Sequence, residues 1–184
     1  GLRRGGRILY AMDISNPDRP SLLWRLDPDT AGFAELGQTW SVPVITRIPG
    51  YRDANGVPKA VLVFGAGYDT NKDAQGVATP DTMGRGLFIV DAVTGSLVWS
   101  MTPAADSPSN MQETGLLHSV AAGVTAFESK GAGLSGRIYF ADTGGQLWRL
   151  DLPGNTLPDS NQDTWRVVKV AQVNGATEAT DRRF

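Results

Sequence analysis

Cysteine is absent and histidine occurs once, at His118. The first absence excludes a disulfide framework and thiolate metal sites, but it leaves the compartment open, because exported proteins can also lack Cys. The second leaves no pair of imidazoles for a metal cluster and no Cys–His couple for nucleophilic catalysis. Excess charge is missing too: 17 basic side chains stand against 19 acidic ones, a net charge of −2. A dedicated nucleic-acid surface would carry a strongly basic footprint, so a nucleic-acid partner is not expected. No apolar run approaches the ~18 residues of a membrane-spanning helix. Residues 1–6 (GLRRGG) lead straight into a strand-like run, reading as a loop entering a strand and showing no signal-peptide pattern. Sustained apolar spacing at i, i+3, i+4, i+7 is also lacking, so helix should be scarce. The one short helical candidate is Ser109 to Leu117.

What is present is enough apolar residue for a core, 41% of 184, together with 22 Gly and 11 Pro that signal many turns. The stretch Gly84 to Met101 (GRGLFIVDAVTGSLVWSM) organises the rest. An apolar run (Leu87, Phe88, Ile89, Val90) ends on Asp91, turns at Val93-Thr94-Gly95, and returns as Leu97-Val98-Trp99, which reads as a β-hairpin. Arg7 to Asp13 followed by Leu22-Leu23-Trp24 says nearly the same thing, and so does Arg137 to Asp142 followed by Leu147-Trp148. The Gly-Arg onsets at Arg7, Arg85 and Arg137 lie 78 and 52 residues apart, and the larger step contains an insertion over 68–83. A repeat of this kind bears on the whole fold.

Between these hairpins lie other strand candidates: Trp40 to Thr46, Ala60 to Gly65, Leu117 to Ala121 continuing through Val124 to Phe127, and Trp165 to Val170. Pro43 lacks a backbone donor, so its strand should be an edge, begin there, or bulge. The expected class is all-β: a β-propeller of four-stranded antiparallel blades. The chain would hold about two full blades plus one hairpin. As one partial domain over 1–184, it divides into a last hairpin of a preceding blade (1–27), a blade with the insertion (40–101), a blade (117–172), and a tail into the next (173–184). Stacked blades bury both sheet faces, which accounts for runs such as Val61-Leu62-Val63-Phe64 that do not alternate with polar residues. A β-sandwich with similar hairpins is the competing architecture.

Candidate chemistry is sparse. Gly65-Ala66-Gly67 and Gly84-Arg85-Gly86 lack the helix and third glycine of a phosphate loop and read as backbone turns. Asp69, Asn71 and Asp73 place oxygen ligands at positions 1, 3 and 5 of an EF-hand-type calcium loop. The pattern then departs, with Ala74 at position 6 and Pro80 at position 12, so calcium binding and a solvated turn both remain open. Asp53 and Asn55 share the ambiguity with fewer ligands. Asp13, Asp91 and Asp142 end the repeated strands and are placed to accept turn amides. Trp24, Trp99 and Trp148 recur with them as wedges between sheets. All six read as scaffold.

Asp91-x-x-Thr94-Gly95-x-x-x-Trp99 matches the tryptophan-docking pattern of quinoprotein propellers. A longer ordered set is G-G-R-I-L-Y-A-M-D-I-S-N-P, L-W, T-W-S-V-P-V-I, A-V-L-V-F-G-A-G-Y-D, L-F-I-V-D-A-V-T-G and R-I-Y-F-A-D-T-G-G-Q-L-W-R-L-D-L, ending within T-D-R-R-F. Across nearly the whole chain this resembles the propeller domain of PilC/PilY-type tip adhesins of bacterial type IV pili. The resemblance implies part of a large exported protein at the pilus tip or outer surface, reached through the periplasm. It implies a non-enzymatic role: promoting pilus assembly, opposing retraction and attaching to a host or abiotic surface, with the minor pilins of the tip as partners. It also implies a calcium loop before the strand Arg137 to Asp142. In this chain that stretch is Glu128 to Gly136, where Glu128 is the sole acidic residue and Lys130 opposes a cation.

Two other readings stand beside it. A pyrroloquinoline quinone-dependent dehydrogenase should repeat the Asp-to-Trp spacing of eight in nearly every blade, whereas Asp13 to Trp24 spans eleven and Asp142 to Trp148 six. A generic outer-membrane scaffold propeller is the other. The insertion 68–83 and the stretch Thr102 to Leu116 are the natural recognition loops.

Overall fold

The computed structural model describes residues 1–73, 79–129, 131, 133–158, 165–175 and 177–184. Ala74, Lys130 and Ala132, used in the calcium-loop reading, lie outside the described residues. Among the described residues, eleven strands form three sheets. β1 (Leu9–Asp13) and β2 (Ser21–Leu26) make an antiparallel hairpin. β3 (Val44–Arg52), β4 (Pro58–Gly65), β5 (Leu87–Asp91) and β6 (Leu97–Thr102) form an antiparallel meander. β7 (Asn110–Gln112) adds to its far edge in parallel. β8 (Thr125–Glu128), β9 (Ser135–Ala141), β10 (Gln146–Asp151) and β11 (Arg166–Gln172) form a second antiparallel meander. The helical segments among the described residues are three short 3-10 turns, Arg3–Gly5, Thr70–Asp73 and Glu178–Thr180.

Side chains on a strand alternate between faces, and both faces of the middle sheet are covered. Val61, Val63, Leu87, Ile89, Trp99 and Met101 join Ile138, Phe140, Trp148, Leu150 and Trp165 of the four-stranded side in one core. Phe64, Phe88 and Val90 point the other way, packing with Leu9, Trp24 and Leu26 of the hairpin and with Phe33 and Leu36. Every residue of β5 is therefore buried, and its apolar run has no polar face to alternate with.

The first core runs from Ile48 on β3 through Val61 and Val63 on β4 and Leu87 and Ile89 on β5 to Trp99 and Met101 on β6, which carries the largest side chain of this core on that sheet. Trp99 meets Trp165 edge-on with centroids 4.7 Å apart, a favoured aromatic geometry. The two meanders are tied through β3. The contact joins β3, the first strand of one meander, to the start of β9, the second strand of the other: a parallel bridge links Arg47 with Leu134, and the Thr46 and Ser135 hydroxyls lie 2.7 Å apart.

Three expectations are corrected. Trp40 to Pro43 and Leu117 to Ala121 are not strands; β3 begins at Val44, one residue past Pro43, and forms a sheet edge. Val120 and Ser119 are fully buried, but their amides and carbonyls bond to several different loops instead of one ladder. The helix expected over Ser109 to Leu117 is instead the β7 edge strand, which makes the middle sheet five-stranded and partly parallel. Asn110 fixes it there: Oδ1 accepts from the Ser100 and Thr102 hydroxyls, and Nδ2 donates to the carbonyls of Ala104 and Ala105.

Candidate functional site

The residues richest in buried polar chemistry lie where the insertion returns to the sheets. Gly67 donates to the Val120 carbonyl, Val120 to Gly84, Asp81 to Leu117, and Thr143 to Ser119. These approaches need glycine. Gly67 has φ +117° and a Cβ there would sit 2.4 Å from the Gln38 oxygen; at Gly84 (φ +76°) it would sit 2.6 Å from the Gly67 oxygen. The two Gly-x-Gly stretches thus form a close backbone crossing, and among the described residues no α-helix follows either. Gly67→Ala combines a disallowed conformation with a backbone clash, so a loss of at least about 2 kcal/mol is expected in chemical denaturation.

Asp69 is 2% exposed and its carboxylate is spent on protein donors. Oδ1 accepts the Asn71 amide at 3.0 Å; Oδ2 accepts the Thr82 amide at 2.7 Å, the Thr82 hydroxyl at 2.9 Å and the Met83 amide at 3.2 Å. Burial pushes its pKa up, but these donors outweigh burial and hold the carboxyl below its usual value. Asp73 turns elsewhere, accepting the Tyr68 hydroxyl at 2.8 Å and a two-pronged guanidinium from Arg4. Burial and this bond push the Tyr68 hydroxyl up to about 12. Asn71 donates from Nδ2 to the Pro80 carbonyl. Among the described residues no three His, Cys, Asp or Glu side chains converge as a metal group.

Between these lies a cluster that sequence reading passed over. Lys72 and Asp81, with side chains 3% and 0% exposed, form an ion pair of 3.2 Å. The Lys72 ammonium also donates to the Thr79 carbonyl and lies 3.3 Å from His118 Nδ1. Asp81 Oδ2 accepts the Ser119 amide at 2.6 Å and the Thr143 hydroxyl at 3.0 Å. Burial, and then the Lys72 charge, lower the His118 pKa. Gly144 packs so close that a Cβ there would lie 2.0 Å from the imidazole. Counted from Asp69, Asp81 falls one residue past position 12 of the calcium-loop pattern and Lys72 is a cation within the same loop, and nothing local in the sequence joins them to His118.

The three repeated Asp residues share one task. Asp13 Oδ1 accepts the Ser15 amide, Asp91 Oδ1 those of Val93 and Thr94, and Asp142 Oδ1 those of Gly144 and Gln146. Their tryptophans differ. Trp148 donates to Asp142 Oδ2 at 2.8 Å, and Trp24 reaches the Ala92 carbonyl across the sheets at 3.4 Å. Trp99 Nε1 is buried without a hydrogen-bond partner. Asp91 Oδ2 is instead taken by the Tyr51 hydroxyl at 2.6 Å and by Lys59. Burial pushes the Asp91 carboxyl up, but Lys59, Tyr51 and the turn amides outweigh it, leaving it far below its usual value. A carboxylate depressed in the folded state stabilises above the unfolded pKa and loses that contribution as pH falls through the folded one. Stability should therefore fall as pH drops below about 4, and Asp91→Asn should flatten that limb of an acid-unfolding curve.

No family model matches the chain. Several curated proteins do. The type IV pilus biogenesis factor PilY1 of Pseudomonas aeruginosa (strain UCBPP-PA14) is 29% identical over 163 residues, covering 87% of this chain and 12% of that protein. A PilY1 homolog of Xylella fastidiosa (strain Temecula1) is 29% identical over 164 residues, covering 84% of this chain and 9% of that protein. The crystal structure of the Pseudomonas aeruginosa PilY1 C-terminal domain superposes over 96% of this chain and 33% of its own, with a TM-score of 0.62 at 22% identity. The chain is PilY1-like. At that identity the structural match speaks for the fold, and the sequence matches supply the PilY1 resemblance. The PilY1-like region spans about a tenth of the curated relatives' length, and no helix among its described residues is long and apolar enough to cross a membrane.

Proposed function

We propose that this chain is part of a β-propeller within a PilY1-like type IV pilus biogenesis factor. In this reading it promotes pilus assembly, opposes retraction and takes part in attachment to a host or abiotic surface, without catalysis. The parent protein would be exported and displayed with the pilus tip and its minor pilins. The blades would be 1–27 (one hairpin), 40–101 extended by β7, and 117–172, with 173–184 leading onward.

The observation that carries the reading is the PilY1 match along most of the chain. The middle sheet, covered on both faces, supports the propeller. Sheets that touch through β3, β8 and β9 and hold Trp99 against Trp165 between their later strands would fan about an axis. The test is genetic. Deleting residues 1–184 from the encoding gene should remove surface pili. Removing the retraction motor as well should restore pili that still fail to attach. Normal piliation and attachment after the deletion would overturn the proposal.

In this reading Asp69, Asn71 and Asp73 clasp the insertion and hold no calcium. Titration calorimetry with calcium should show no saturable heat, and calcium should leave Tm unchanged. A calcium-dependent Tm rise abolished by Asp69→Ala would assign the loop to the metal instead.

A further inference from the structure

Lys72 and Asp81 are placed for more than an ion pair. Both are buried, and the ammonium sits 3.2 Å from Asp81 Oδ1 outside hydrogen-bonding geometry, so that Oδ1 has no hydrogen-bond donor. The other oxygen, Oδ2, is held by the Ser119 amide and the Thr143 hydroxyl. A third group capable of moving protons, His118 Nδ1, stands 3.3 Å from the Lys72 nitrogen, and the Thr79 carbonyl anchors that nitrogen in place.

We propose that Lys72 and Asp81 condense without a cofactor into an intramolecular isopeptide bond. Lys72 passes one proton to Asp81 Oδ1, and the free amine lone pair attacks Cγ. The negative charge that develops on Oδ2 meets the Ser119 N–H and Thr143 O–H, donors already aimed at that atom. His118 takes a second proton from the nitrogen and delivers it to Oδ1. The Cγ–Oδ1 bond breaks, one water leaves, and an amide joins Nζ to Cγ. No oxidant, reductant or other reactant is required. The driving force is local: a desolvated ammonium and carboxylate, costly to hold buried, become one neutral amide. The bond would pin the insertion to the sheets at Lys72.

Intact-mass spectrometry of the purified chain tests this directly. The expected mass is one water below the sequence value. Trypsin should fail to cut after Lys72, and the peptide 60–85 should appear whole and one water lighter, with fragments joining Lys72 to Asp81. Lys72→Met should restore the full mass. Asp81→Asn should lose one ammonia in place of water. His118→Gln should form the bond roughly 10²-fold more slowly, a change that a merely structural histidine would not produce. A wild-type mass equal to the sequence value after days at neutral pH would overturn the proposal. So would a water loss confined to a succinimide at Asp81 with normal cleavage after Lys72.

Discussion

Trp99→Ala is expected to destabilise the chain by about 3–5 kcal/mol, the range for removing a buried tryptophan. Trp99 is fully buried in the main core, edge-on to Trp165 and on the same strand as Met101. Its indole nitrogen has no hydrogen-bond partner, so nothing polar offsets the cavity that its removal leaves. Urea unfolding followed by circular dichroism would measure the loss. Trp99→Phe, which keeps most of the wedge and removes the unpaired N–H, should cost well under half as much. A loss below about 1 kcal/mol for the alanine variant would show that the two meanders do not depend on that wedge.

The second large effect is at Asp142, and it is sharpest against Asp13, which occupies the same place in the repeat. Asp142 is fully buried and takes the Trp148 indole and the Gly144 and Gln146 amides. Asp142→Ala strands all three donors away from water and should cost about 3–5 kcal/mol. Asp13 is exposed and holds only the Ser15 amide and hydroxyl; Asp13→Ala should lose less than about 1 kcal/mol. Acid should also separate Asp142 from Asp91. Burial, only partly offset by Trp148 and the amides, raises the Asp142 carboxyl above its usual value. The charged form is the costly one there, and that cost is relieved as pH falls through the raised folded pKa. Asp91 behaves oppositely and loses its contribution in acid. Comparing the acid limbs of Asp91→Asn and Asp142→Asn should give slopes that change in opposite directions.

The strands were legible where their own residues determine them. Leu87 to Val90 and Ile138 to Phe140 carry enough apolar and β-branched character to be read directly, and the turns after Asp13, Asp91 and Asp142 are set by Asp side chains bonding amides two to four residues away. β7 was not legible, because Asn-Met-Gln has no strand pattern and its position is fixed by Asn110 bonding to Ser100 and Thr102. Leu117 to Ala121 misled for the opposite reason. Its burial is real at Val120, yet its backbone is satisfied by loops far away in sequence. The Asp–Trp repeat was visible as a spacing, but only the structure separates the bonded pair at Asp142 and Trp148 from the unbonded one at Asp91 and Trp99. The candidate loop followed the same rule. Its acidic residues could be found by counting, whereas their partners Thr82, Met83, Arg4 and Tyr68 come from tertiary packing.

If the three sheets are neighbouring sectors of one wheel within a longer PilY1-like protein, a structure of the full-length protein tests that most directly. Further sheets should then cover the outer face of β1 and β2, where Tyr10, Met12 and Leu23 are exposed, and all sheets should be arranged around a common axis lined by their first strands. The wheel would be contradicted if those side chains stayed open to solvent and the two meanders closed on each other as an isolated two-layer sandwich.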